Sequence, residues 1–409
     1  MSRARAAIGA GLAAAALIAA GSALAGLDAL DVQIGRALFD RAWVVAPAST
    51  KADDGLGPLF DARSCASCHP RDGRGSIRVE ADGTLDGRGA VLALGRPDGA
   101  GDPVYGRRLQ IDAVQGLTPE GVLAVEERAL PDGRKARVAA PRQLAYGPLD
   151  PSTGLSLRAA PDLRGRGLLE QVPEAAVAAI AAVQPEAVRG RLRHVTLPDG
   201  TRALGRYGWK NSQPSLEAQS SEAFFLDMGL STPLHPEPWG DCTAAQQVCR
   251  AAPHGIESEG AVEISQVLLA RVVAYVASLP VPEPEGRADR KGERLFAVAG
   301  CAQCHQPALP TNAGGSARLF TDLLLHDLGP GLADTLSEPG VAAGEWRTAP
   351  LAGISDALRR KTGLLHDGRA ASVPEALAWH GGQADAARRA FLALNPAERA
   401  ALVAYVSNL

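Results

Sequence analysis

Cys65-Ala66-Ser67-Cys68-His69 and Cys301-Ala302-Gln303-Cys304-His305 are two copies of one pattern, Cys-x-x-Cys-His, in a chain of 409 residues with only 6 cysteines. This spacing is the attachment signature of a c-type haem. Two thiols three positions apart can each form a thioether to one haem vinyl group, and the following His reaches the iron from the proximal side. A single copy could be a redox cysteine pair, but two copies among six cysteines make that reading poor. The expected cofactors are two covalently bound haem c groups, one on Cys65, Cys68 and His69 and one on Cys301, Cys304 and His305.

The start of the chain points to export. Arg3 and Arg5 precede an apolar run over residues 6–20, and Ala23-Leu24-Ala25 offers a small-x-small cleavage site before Gly26. That is the form of a secretory signal peptide over residues 1–25, and the run is too short to span a bilayer. No later stretch is long and apolar enough, so the expectation is a periplasmic protein that is not integral to the membrane. Haem attachment outside the bacterial cytoplasm fits this. A net charge of −3 provides no basic field for nucleic acid. In an oxidising compartment the two remaining cysteines, Cys242 and Cys249, most simply form a disulfide; a free redox dithiol is the rival.

Internal repeats give the architecture. Val273-Ala274-Tyr275-Val276 returns as Val403-Ala404-Tyr405-Val406, each at the end of a helical pattern. Closing helices of this kind predict a mainly α fold of two cytochrome c-like haem domains, residues 26–283 and 284–409. The first is larger by roughly a hundred residues, much of it within residues 73–205. There Pro131-Asp132-Gly133 and Pro198-Asp199-Gly200 sit between short β-prone runs and predict a loop-rich β-hairpin insertion. Residues 168–183 read as a helix, and residues 280–285, with three prolines, as the linker. Two further repeats precede the closing helices: Arg158-Ala159-Ala160-Pro161 parallels Arg347-Thr348-Ala349-Pro350, and the turn at Gly208-Trp209 parallels that at Leu365-His366.

Sixth ligands are constrained by composition. Electron-carrying c-type haems commonly use Met opposite the His, yet this chain has only Met1 and Met228. The second haem must take His326, His366 or His380, bind something else, or stay open. Choices in the first half include Met228, His194, His235 and His254.

Trp209, Gln219, Asp227-Met228, Leu365-His366-Asp367-Gly368-Arg369 and His380 resemble the bacterial di-haem cytochrome c peroxidase and MauG superfamily. Gly55-Leu56-Gly57-Pro58-Leu59-Phe60, Thr321-Asp322-Leu323-Leu324-Leu325-His326-Asp327 and Trp379-His380-Gly381-Gly382 are more closely similar to the di-haem oxidoreductase family, also called thiol oxidoreductases. The resemblance implies Trp209 between the haems, with Gln219 and Asp227 in the pocket of the N-terminal haem as catalytic residues and Met228 lining that pocket. The Asp227 match needs a two-residue gap. The family's distal ligand to the C-terminal haem, Met or Tyr, stands fourteen residues after the His of the His-x-Gly turn; fourteen after His366 is His380, and fourteen after Trp209 is Ala223, which cannot bind iron. The resemblance thus implies a C-terminal haem held by His305 and His380 and an open N-terminal haem suited to peroxide. Its implied partners are a small cytochrome or cupredoxin as electron partner and peroxide or another small molecule as substrate, and it also admits Ca2+. The rivals are a non-enzymatic electron-transfer protein and a haem oxygenase-like enzyme on an organic substrate, with a link to iron uptake.

Overall fold

Two helix pairs, built the same way, frame the molecule. The computed structural model describes residues 28–409 except 87–88, 131–132, 257, 259, 287–288 and 337, so the signal peptide lies outside the described residues. In the first pair the helix Ala29–Asp40 packs on the closing helix Gln266–Ser278. In the second, Arg290–Val298 packs on Pro396–Ser407. Each contact is made at a glycine. A Cβ on Gly35 would run into the Arg271 carbonyl and lie 3.0 Å from the Cβ of Tyr275, and one on Gly292 would lie 2.5 Å from both the Ala401 carbonyl and the Cβ of Tyr405. One turn on, Phe39 meets Tyr275 edge-on at 5.4 Å, and Phe296 meets Tyr405 edge-on at 5.5 Å. The two tyrosines are the ones in the repeated closing-helix string.

Each helix pair has its own apolar core. One gathers Leu38, Phe39, Trp43, Phe224, Met228, Leu269, Val272 and Val276. The other gathers Phe296, Ala357, Val373, Phe391, Leu402 and Val406. The first core also takes Leu309, Leu319, Leu323 and Leu324 from beyond residue 284, so the halves interlock.

Mainly α is too simple a description, because helix accounts for 31% of the structure and strand for 18%, the latter in small sheets. The strands form two-stranded ladders. Both expected hairpins are present: Val125–Ala129 pairs antiparallel with Lys135–Ala139, and His194–Thr196 with Arg202–Leu204. The second turn is fixed by Asp199, whose Oδ1 accepts from the backbone N and hydroxyl of Thr201 at 2.9 and 2.7 Å, with Gly200 at φ +83°. A longer ladder, Ala90–Gly95 with Gly154–Ala159, carries a third core of Leu92, Leu94, Tyr105, Leu109 and Leu157. The helix expected over residues 168–183 is shorter. A 3₁₀ turn, Arg166–Leu169, ends before Pro173, and the α-helix is Glu174–Val183. Pro173 has no N–H and disfavours helical backbone in the residue before it, which breaks the run. Residues 280–285 are irregular, as a linker would be. Among the described residues no helix is long and apolar enough to cross a membrane.

Candidate redox centre

Both Cys-x-x-Cys-His motifs form the same tight turn. The backbone N–H of His69 donates to the Cys65 carbonyl and that of His305 to the Cys301 carbonyl, each at 2.9 Å. An i to i+4 closure of this kind brings the His and the first Cys to one face. Ser64 caps the first turn by accepting from the Ser67 N–H at 3.2 Å. Gly300, at φ +86°, turns the chain from helix Arg290–Val298 into the second. Burial pushes the Cys65 and Cys68 thiols up to about 12, with the charge of Asp227 adding to it, and pushes Cys301 up to about 11. Redox dithiols have lowered thiol pKa values, whereas Cys65, Cys68 and Cys301 are shifted the other way.

The second motif opens into a cavity with about 1730 Å³ of empty space, part of it open to solvent. Cys301, Cys304, His305 and His380 all lie on its walls. His305 Nδ1 lies 3.1 Å from the Phe320 carbonyl and His380 Nδ1 lies 2.8 Å from that of Ala376. Each carbonyl can only accept, so each ring carries its proton on Nδ1 and keeps Nε2 as a lone-pair donor, the tautomer iron ligation requires. Burial, with the neighbouring His380, drives His305 down to about 4, and burial lowers His380 as well. Two neutral imidazoles, two thiols and a large, mostly apolar cavity fit a haem c.

The other two histidines within reach of this site are engaged. Buried His326 has its Nε2 2.9 Å from Asp322 Oδ2 and its Nδ1 3.8 Å from Cys304 Sγ. Burial opposes its charge, but the bond to Asp322 outweighs this and pushes it up to about 10. Gln184 donates to Asp322 at 2.9 Å and to the Gln303 carbonyl at 2.7 Å, so the network braces the motif from behind. Cys304, Asp322 and His326 bring ligand atoms within 4.8 Å of one another, but they are not the all-oxygen set Ca2+ takes. His366 lies flat on Trp346 at 3.8 Å, with its Nε2 3.4 Å from Asp334.

In the first motif His69 Nδ1 lies 2.8 Å from the Pro161 carbonyl, and burial lowers its pKa against the bonds to the Pro161 and Gly73 backbone. Pro161 also lines the cavity of the second motif. A single residue therefore touches His69 and the second cavity. Trp209 lies beside it: buried, lining the same cavity, and donating from Nε1 to the Ala159 carbonyl at 2.8 Å. Its ring meets His366 edge-on at 6.4 Å. Trp209 and His366 are equivalent positions of the repeat. Around them the Arg347 N–H donates to the Trp209 carbonyl at 2.9 Å and the Ala159 N–H to the His366 carbonyl at 2.7 Å. The sequence repeats thus meet face to face.

Gln219 and Asp227 are not brought together. Both lie on helix Leu216–Met228, and eight residues separate them by about 12 Å along its axis. Gln219 Oε1 approaches Gly208, next to Trp209. Asp227 pairs with Arg108 at 3.2 Å and its carbonyl accepts from Asp61 and Ala62, close enough to the first motif to act on both thiols. Met228 is buried in the first core. His194 pairs with Glu174 at 2.7 Å, His235 stacks on Phe225 at 4.8 Å, and His254 is exposed. A disulfide joins Cys242 to Cys249, as expected.

Sequence reasoning missed Gln184, Asp322 and the buried Lys210, whose Nζ donates to the carbonyls of Ala342, Ala343 and Glu345 at 3.1, 2.9 and 2.8 Å over the Trp346 ring. The partners of Gln184 and Lys210 are distant in sequence, so no local pattern marks them; Asp322 stands four residues before its partner His326, a spacing that could have marked it.

Two Cys-x-x-Cys-His motifs joined by such a junction suit a two-centre redox protein. The chain belongs to the di-haem oxidoreductase family: residues 7–85 and 150–409 match the family described as "Di-haem oxidoreductase, putative peroxidase". A search of curated proteins finds no match. Among solved structures, Kuenenia stuttgartiensis hydrazine synthase pressurised with 20 bar xenon is similar at 16% identity and a TM-score of 0.40, over 94% of this chain and 88% of that one.

Proposed function

We propose that this protein is an exported, periplasmic di-haem c oxidoreductase in which a haem held by His305 and His380 relays electrons to a peroxide-reactive haem on His69. The observation that carries the reading is the pair His305 and His380 on the walls of one cavity, each with Nδ1 held by a carbonyl and Nε2 free. When bound, the haems supply one-electron chemistry and an iron site for a peroxide oxygen. The residues of the chain do the rest. Phe320 and Ala376 orient the two imidazoles of the second centre. Pro161 links His69 to the second cavity, and Trp209 fills the space beside it, so the two form the electron route.

Gln219, beside Trp209, is the residue that orients peroxide. Asp227, about 12 Å further along the helix and paired with Arg108, holds charge near the first thioethers. The separation of Gln219 from Asp227 favours one second reading, an electron carrier without peroxide turnover.

Cyanide and peroxide binding, followed by visible and EPR spectra in the oxidised and half-reduced protein, decides between them. The enzyme reading expects one low-spin haem that ignores both ligands and one that binds them in at least one redox state. If neither haem binds either ligand in either state, the carrier reading stands.

A further inference from the structure

Three arginines on the wall of the second cavity lack the partners that buried guanidinium groups need. Arg74, Arg166 and Arg347 are 9%, 7% and 7% exposed, and all three line the cavity. Arg74 lies over the Trp209 ring at 5.3 Å and bonds the Leu365 carbonyl through Nη2, while its Nε has no partner. Arg347 bonds the Gly208 carbonyl through Nε at 3.0 Å, while its Nη1 has none. Arg166 Nη1 is likewise without a partner.

Two half-buried arginines are treated differently. Arg158, at the position equivalent to Arg347 in the repeat, pairs with Glu338 at 2.7 Å, and Arg369 pairs with Asp367 at 2.7 Å. Asp162, a carboxylate that also lines the cavity, is taken by Arg164. A buried charge left unpaired costs several kcal/mol. Three of them converging on one cavity, with open N–H groups, therefore mark the place of a bound anion.

We propose that Arg74, Arg166 and Arg347 clamp the two propionates of the haem carried by Cys301 and Cys304. This rests on the reading of that cavity as a haem site. A haem c is attached through its vinyl edge, and its propionates leave the opposite edge. Cys304 stands against His326, which Asp322 and Gln184 brace, whereas Arg74 and Arg347 are tied to the carbonyls of the Leu365-His366 and Gly208-Trp209 turns. Three guanidinium groups supply the bidentate donors that two carboxylates accept. The clamp turns the propionate edge toward Trp209 and Pro161, and so toward the first haem. Its excess positive charge favours the reduced, less positive iron and raises the potential of the second centre.

The test uses the exported holoprotein. Intact mass first counts the covalent haems; a missing second haem would sink the haem-site reading itself, a failure distinct from that of the clamp. With both haems present, Arg166→Gln and Arg347→Gln should lower the midpoint of the low-spin haem by at least a factor of ten in its reduction equilibrium, about 59 mV for one electron. The propionate bending band of that haem in resonance Raman should move with it, and Arg347→Lys should restore part of both. Unchanged potential and unchanged band in both variants overturn the clamp, as does a change confined to the other haem. If the Gln variants do not fold, a crystal structure of the wild-type holoprotein decides: propionate oxygens within hydrogen-bond distance of these guanidinium groups support the clamp, and propionates directed elsewhere overturn it.

Discussion

As the proposed iron ligand, His380 depends on one hydrogen bond. Its Nδ1 is committed to the Ala376 carbonyl one turn back, at 2.8 Å, so the ring can offer iron only Nε2. His326, equally close to the motif, has both nitrogens engaged. His380→Ala should therefore convert a low-spin haem signal to high-spin while haem content by mass stays at two. His326→Ala should keep the low-spin signal and lower stability instead, since it leaves Asp322 buried with one partner fewer. The reverse outcome would reassign the ligand. The choice among His326, His366 and His380 was open in the composition alone. Resemblance singled out His380, and its Nδ1 hydrogen bond is compatible with that choice. The three cavity arginines were not legible, because an unpaired arginine and a paired one have the same letter; Arg158 and Arg347 occupy equivalent places in the repeat with opposite surroundings.

At the level of elements, the closing helices were readable because their string is repeated whole. Their partners carried a fainter mark: Gly35-Arg36-Ala37-Leu38-Phe39 and Gly292-Glu293-Arg294-Leu295-Phe296 share Gly-x-x-Leu-Phe. Only the packed helices give this spacing meaning, since the glycine admits the partner backbone and the Phe meets its Tyr. Gly292→Ala should cost about 1–3 kcal/mol through overpacking, although alanine favours helix intrinsically. Thermal unfolding of the holoprotein measures it, and a stability equal to or above wild type would mean the helices can part at no cost. The helix expected from residue 168 failed for a local reason, Pro173, which a periodic apolar pattern hides.

Across the whole molecule, Glu338 fastens distant segments. It accepts from Arg158 at 2.7 Å in the insertion ladder and from Arg193 near the second hairpin. Burial opposes its charge, but the two arginines prevail and hold its pKa down to about 2 against an ordinary 4.5. A lowered folded-state pKa contributes stability above the unfolded value, and that contribution is lost as pH falls from about 4.5 toward 2. The difference corresponds to about 3 kcal/mol. Glu338→Gln should be less stable than wild type by about that amount at pH 7, and its stability should fall less steeply across the acid window. Denaturant melts at a series of pH values check both; equal slopes for the two proteins would show that the pair is not linked to folding. The insertion was legible as turns, yet its ladder partners were not, since Ala90–Gly95 pairs with Gly154–Ala159 across a long intervening segment. Part of this stretch, residues 86–149, is left out by the family match.

The junction where Trp209 faces His366 has the form of a two-fold dimer contact enclosed in one chain. In a true two-fold interface position i meets j and j meets i, so one substitution changes both sides at once. Here the copies are encoded separately, and one has become an indole and the other an imidazole. With both copies of the repeat in one chain, the two members of the contact can differ, so the molecule is asymmetric at its centre while its outer helix pairs stay alike.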